Sequence, residues 1–128
     1  MAEAAAKACA NGLIAMAHAG VVERSVEFYR LLGMEVRGSL RNHLGRLRWV
    51  HLQCGDAHLM LALASGPIPA GEQAVLFYLY SPDLKGLREH LIASGVKVFA
   101  ITYPEYMPKG EFRTEDPDGY VLLIGQSD

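Results

Sequence analysis

The chain has 128 residues, of which 51% are hydrophobic and 20% charged, and its formal net charge is −2. This size and apolar content predict one compact domain with a core of its own. The nearly balanced charge gives no sign of a nucleic-acid partner. No apolar run approaches the ~20 residues that span a bilayer, so we expect no membrane partner either. Two cysteines, Cys9 and Cys54, are too few for a disulfide framework, which favours reduced thiols and a cytoplasmic protein.

The first half of the chain predicts a strand, a helix and three further strands. The alanine-rich leader, residues 1–11, is expected to be a frayed helix or a flexible tail. Strand 13–18 is followed by a helix over 22–32, whose apolar residues recur at helical spacing and which ends at Gly33. Strands are then expected at 34–40, 47–53 and 58–64, with a tight turn at Gly55-Asp56.

The second half repeats this order. A strand over 75–80 leads into a helix over 83–94, with Ser81-Pro82-Asp83 as its cap and first turn. Further strands are expected at 96–102, 111–115 and 120–125, with a long loop at 103–110. The segment Gly33-Met34-Glu35-Val36 matches Gly95-Val96-Lys97-Val98, 62 residues further on. Such spacing indicates two copies of one module, at 12–66 and 72–128, within a single domain over 12–128.

These modules define the expected fold class, which is α+β. Two tandem βαβββ modules are predicted to form curved mixed sheets around a cavity, with the helices outside. The turn Asp116-Pro117-Asp118-Gly119-Tyr120 sets the register of the last strand, because proline presets φ and glycine tolerates positive φ.

Three segments together resemble the vicinal oxygen chelate superfamily, which includes glyoxalases, extradiol dioxygenases and bleomycin-resistance proteins. They are the stretch from Arg24 to Val36, the turn and strand from Gly55 to Leu61, and the final turn from Asp116 to Tyr120. The resemblance runs from about Leu13 to the end of the chain. It implies the same fold for this chain. Among the members of that superfamily, the chain is closest in character to the metal-free bleomycin-resistance-like proteins.

The resemblance also identifies where a metal would be held. Catalytic members of that superfamily bind a divalent metal through four side chains, and the matching positions here are Ile14, Met60, Leu76 and Leu123. Such metals prefer imidazole or carboxylate ligands, which none of these residues offers. We therefore expect no metal and no cofactor.

Strand alternation predicts which side chains face the cavity. The predicted ligand-binding residues are Met16, His18, Trp49, His51, Met60, Tyr78 and Tyr80. In this interpretation His18 and His51 are candidate catalytic residues, since histidine titrates near neutral pH. The alternative is that the aromatic residues only fill the core and the histidines cap strand ends. His58 is expected at the surface, and the loop 103–110 either covers the cavity or packs elsewhere on the domain.

The sequence leaves several functions open. The first is a protein that binds a small, partly aromatic molecule in an apolar cavity between the modules. The alternative is a metal-independent enzyme with a cavity histidine as general base, and a metal-dependent lyase, isomerase or dioxygenase ranks below both. The resemblance also implies a homodimer with the cavity at or near the subunit interface, in a swapped or an unswapped form.

Overall fold

The structure is a computed structural model that describes residues 10–72 and 74–128, so Cys9 and most of the predicted leader lie outside the described residues. Within these described residues, two α-helices and seven strands follow one another. They are β1 (Met16–Ala19), α1 (Val22–Arg30), β2 (Glu35–Arg41), β3 (Leu47–Cys54), β4 (Ala57–Leu63), β5 (Phe77–Ser81), α2 (Leu84–Ala93), β6 (Glu111–Glu115) and β7 (Val121–Gln126). A short 3₁₀ helix (Ala70–Glu72) lies between β4 and β5. In the described part of the chain, no helix is long and apolar enough to cross a membrane.

The strands form two mixed sheets. Sheet A has the order β1-β4-β3-β2 and sheet B the order β5-β7-β6. In each sheet the first strand of the module pairs in parallel with the last, and the other neighbours are antiparallel. The predicted α+β class with two related modules is therefore confirmed, and both helices begin and end within two residues of their predicted bounds.

The predicted strand over 96–102 is wrong. That segment makes only two isolated bridges to β6, at Val98–Thr114 and Thr102–Glu111. Side chains bind two of its carbonyls instead: the Thr114 hydroxyl donates to Lys97 O at 2.8 Å and the Arg88 guanidinium donates to Phe99 O at 3.0 Å. These bonds satisfy backbone acceptors that a regular ladder would otherwise use. The described second module consequently has three strands rather than four.

Each sheet buries one face and leaves the other accessible. Helix α1 packs on β2, β3 and β4, and helix α2 packs on β5 and β7. The core beneath α1 contains Val50, Leu52 and Leu61 of sheet A together with Leu122 of sheet B, so the buried faces of both sheets contribute to it. Because side chains alternate along a strand, the remaining side chains of both sheets point away from this core. We call these two surfaces the open faces.

The final turn ties the second module to the first helix. The Asp118 carboxylate accepts hydrogen bonds from the Gly20 amide at 3.0 Å and from the Ser25 hydroxyl at 3.2 Å. Deeper in the structure, the Tyr29 hydroxyl donates to Asp116 at 2.8 Å. Gly119 has φ 88°, which favours glycine at this position. The motif that the sequence identified as a turn therefore also holds the modules together.

Candidate small-molecule site

Five of the seven predicted ligand-binding residues lie together on the open face of sheet A. The register aligns Met16 with Met60 and Met60 with His51, which places these three in one row across β1, β4 and β3. A second row aligns His18 and Trp49 on either side of Ala62. The prediction by strand alternation therefore describes one continuous surface, with apolar side chains at its centre.

This surface is accessible. Met16 is 54% exposed and His18 is also exposed, while Trp49, His51 and Met60 are half-buried. A planar molecule laid on the face would contact the indole ring and two thioethers, which are adaptable apolar groups. The two histidines would supply polar contacts at its margin.

A histidine pair marks one end of the open face of sheet A. His51 Nε2 lies 2.9 Å from His58 Nδ1, so one ring donates the proton and the other accepts it. Loss of solvent contact lowers the pKa of His51, and the nearby charges of Arg37 and His58 lower that pKa further. His58 was expected at the surface beside a turn, but it is half-buried on this face. The pairing follows from the diagonal register of β3 and β4, which the sequence does not specify.

The other two predicted residues, Tyr78 and Tyr80, lie on the open face of sheet B. Their rings stack with centroids 5.3 Å apart and planes 29° apart. Opposite them on β6, the side chain of Glu111 accepts hydrogen bonds from the hydroxyls of Tyr78 and Tyr106, the second at 3.1 Å. Glu111 was not among the predicted site residues. Alternation places Glu111 on one face of β6. The register aligns it with Tyr80 through Gly125, so its contact with Tyr78 in the neighbouring row is diagonal, and periodicity does not predict it.

The loop 103–110 lies against this open face. Tyr106 reaches Glu111, and the methyl group of Met107 fills the space above Gly125. A Cβ atom at Gly125 would stand 2.7 Å from Met107 Cε, so this approach depends on glycine. The loop therefore partly covers the open face of sheet B.

A cavity of about 440 Å³ lies at the seam between the two sheets. Its walls include Ala15, His58, Phe77, Tyr78 and Tyr80. Of the seven predicted residues, only the two tyrosines line it. The other five face solvent on sheet A, and His18 borders a separate depression with Tyr120 and residues 64–69. Among the described residues, the seam cavity thus joins the two tyrosines of sheet B to His58 on the open face of sheet A.

The positions that hold a metal in catalytic relatives do not fit one here. Met60 and Leu123 lie on the open faces, while Ile14 and Leu76 precede the strands β1 and β5. Their side chains lack the nitrogen and oxygen ligands that hard and borderline divalent ions prefer. Within residues 10–72 and 74–128, no three His, Cys, Asp or Glu side chains converge in a metal-binding arrangement.

Comparison with known proteins gives a consistent family and fold. A comparison with curated proteins gives no match. Among solved structures, a bleomycin-binding protein complexed with bleomycin superposes with a TM-score of 0.72 at 19% identity, covering 93% of this chain and 100% of that one. A bleomycin resistance determinant encoded on the transposon Tn5 gives 0.74 at 18% identity, covering 93% and 99%.

A third similar structure is TnmS3, an antibiotic binding protein from Streptomyces sp. CB03234, with a TM-score of 0.70 at 20% identity and coverage of 94% and 98%. At these identities the structures show a shared fold. The family described as the Glyoxalase/Bleomycin resistance protein/Dioxygenase superfamily matches residues 15–124. That match spans most of the chain, both modules and the final turn, and so the chain belongs to the Glyoxalase/Bleomycin resistance protein/Dioxygenase superfamily.

Proposed function

We propose that this protein binds a small, partly aromatic molecule on the open faces of its sheets, without a metal. The observation that carries the proposal is the composition of those faces. Aromatic and apolar side chains with a few polar groups occupy the surface on which catalytic relatives hold a metal, and the four matching positions are apolar. Small-molecule sites usually have this composition. The bleomycin-binding protein, the bleomycin resistance determinant and the antibiotic binding protein share the fold and support the same class of function.

The proposal includes a homodimer in the cytoplasm. In one chain, Trp49 and His51 lie on sheet A, whereas Tyr78 and Tyr80 lie on sheet B. The open faces that carry these residues are accessible to solvent. A second copy related by a two-fold axis would cover the faces and enclose the ligand at or near the interface. The cytoplasmic location rests on the cysteines alone, of which Cys54 is a free, exposed thiol.

Trp49 provides a direct test, because it is the only tryptophan in the chain and lies on the open face of sheet A. We expect bleomycin, added as a probe, to change its fluorescence in a saturable way. Trp49→Ala should weaken binding by about three- to tenfold in calorimetry, since an aromatic contact contributes about 0.5–1.5 kcal/mol beyond its buried area.

The matched control is Arg48→Ala, on the same strand. Arg48 is exposed and its guanidinium contacts the Arg41 carbonyl at 3.4 Å, so its loss should leave the affinity unchanged. Equal losses in the two variants, or no saturable binding of bleomycin or any planar aromatic antibiotic by the native chain, would reject the proposed function.

The hydrogen bond between His51 and His58 favours a second candidate, a metal-independent enzyme. A histidine with a lowered pKa is unprotonated at neutral pH and can accept a proton from a bound molecule. Mass spectrometry distinguishes the two functions. A binding protein returns its ligand unchanged, whereas an enzyme yields a product that disappears in His51→Gln.

A further inference from the structure

We infer that the open face of sheet B carries a site for an organic cation, formed by Glu111 with Tyr78, Tyr80 and Tyr106. The inference rests on the proposed function and names the class of ligand, which is a planar aromatic molecule with a positive charge. We call these four residues the tyrosine–glutamate cluster.

The first reason for this inference is the environment of Glu111. It is only 6% exposed, and among the described residues none of the ion pairs includes it. Its two side-chain partners are the hydroxyls of Tyr78 and Tyr106, which supply hydrogen bonds but no positive charge. A buried carboxylate without a counter-ion is costly, and a cationic ligand would provide one.

Neither tyrosine can balance this charge, because a tyrosine hydroxyl is neutral when protonated and negative when ionised. Burial raises the pKa of Tyr78 and the adjacent Glu111 raises it further. The hydrogen bond to Glu111 is the main cause that raises the pKa of Tyr106. Both hydroxyls therefore remain neutral donors at neutral pH, and the cluster as a whole favours a positive partner.

The nearest basic side chains along the chain have other partners. Lys109 forms an ion pair with Asp128, and the Arg113 guanidinium lies over the Phe99 ring, 5.4 Å from its centroid. Arg113 is two residues from Glu111 and shares its face of β6, yet among the described residues no ion pair joins the two side chains. We therefore infer that a ligand supplies the charge that complements Glu111.

The second reason for this inference is the arrangement of the tyrosine rings around Glu111. Tyr80 is 64% exposed and Tyr106 is 66% exposed, while Tyr78 stacks on Tyr80 and lines the seam cavity with it. Ring faces beside a carboxylate bind organic cations through cation–π attraction, which strengthens when water is excluded. If Glu111 served only to hold the loop 103–110, its bond to Tyr106 would suffice, and the exposed Tyr80 ring would have no role.

The test compares two probes of the same shape. 9-Aminoacridine is cationic at neutral pH, and acridine is its neutral counterpart. By equilibrium dialysis we expect the native chain to bind 9-aminoacridine about tenfold more tightly, ~1.4 kcal/mol. Glu111→Gln should reduce this ratio to near one while leaving acridine binding unchanged. Glu115→Gln, the same change on the same strand at an exposed residue, should preserve the ratio.

Two further measurements keep the outcome unambiguous. Circular dichroism of Glu111→Gln establishes that the fold is intact, and Tyr80→Leu, at an exposed position, should lower the affinity for the cation more than that for acridine. Equal binding of both probes by the native chain overturns the inference while the proposed function stands. If neither probe nor bleomycin binds, the proposed function fails and the inference fails with it.

Discussion

At the scale of single residues, the hydrogen bond between Tyr29 and Asp116 joins the two modules through buried side chains. The donor residue is 1% exposed and the acceptor 6% exposed, at a distance of 2.8 Å. Tyr29→Phe removes the hydroxyl and leaves the buried carboxylate short of a donor. We expect the free energy of unfolding in urea to fall by about 1–3 kcal/mol. Tyr120→Phe is the control, because its hydroxyl bonds the His18 carbonyl at an exposed site and should cost less. The opposite ranking would contradict this account.

Asp116 should also give the protein an identifiable pH dependence. Burial is the largest cause that raises its pKa above the ordinary 3.8, so the folded chain keeps this proton to a higher pH than the unfolded chain does. The folded state then binds more protons, and its stability falls as the pH rises from about 3.8 through the raised value. Relative to Asp116→Asn, the native chain should lose stability across that window in urea titrations.

Glu23 provides the opposite sign as an internal check. Its carboxylate accepts a hydrogen bond from the Leu47 amide at 2.9 Å, and backbone bonds hold its pKa below the ordinary 4.5. The native chain should therefore gain stability relative to Glu23→Gln as the pH rises through the lowered value towards 4.5. If the difference in stability changed with pH in the same direction for both pairs, the causes assigned to the two pKa shifts would be wrong.

At the scale of elements, the start of helix α2 is held by side chains of two other segments. Asp83 accepts from the Gly86 amide at 3.1 Å, and Gln126 of β7 accepts from the Leu84 amide at 3.0 Å. Asp83→Ala should cost about 1 kcal/mol of unfolding free energy, the usual cost of losing such a cap. Lys85→Ala, exposed in the same turn, should change the stability little. Equal losses in the two variants would mean that the cap is not the stabilising feature.

The elements also show how far the sequence predicts this fold. Helical spacing, turn residues and the internal repeat predicted both helices and all seven observed strands. The remaining predicted strand, over 96–102, is wrong because side chains of Arg88 and Thr114 bind two of its carbonyls, and sequence patterns do not detect such long-range partners.

The sequence likewise predicts only part of the candidate site. Alternation placed Trp49, His51 and Met60 on one face, because the side-chain period of a strand is two. The His51–His58 and Tyr78–Glu111 contacts depend instead on the register between strands, which periodicity leaves undetermined.

The whole molecule presents apolar surface where a second copy would cover it. Met16 is 54% exposed and Leu40 is 47% exposed on the same sheet, and no part of the described chain covers their face. If the chain is a homodimer, light scattering at micromolar concentration should give twice 14.0 kDa, and the melting temperature should rise with protein concentration.

Met60→Arg, at the centre of that face, should give the monomer mass and weaken bleomycin binding. Ile92→Arg adds the same charge on the exposed side of α2 and should leave the dimer intact. A monomer mass for the native chain, with a melting temperature independent of concentration, would reject the proposed homodimer.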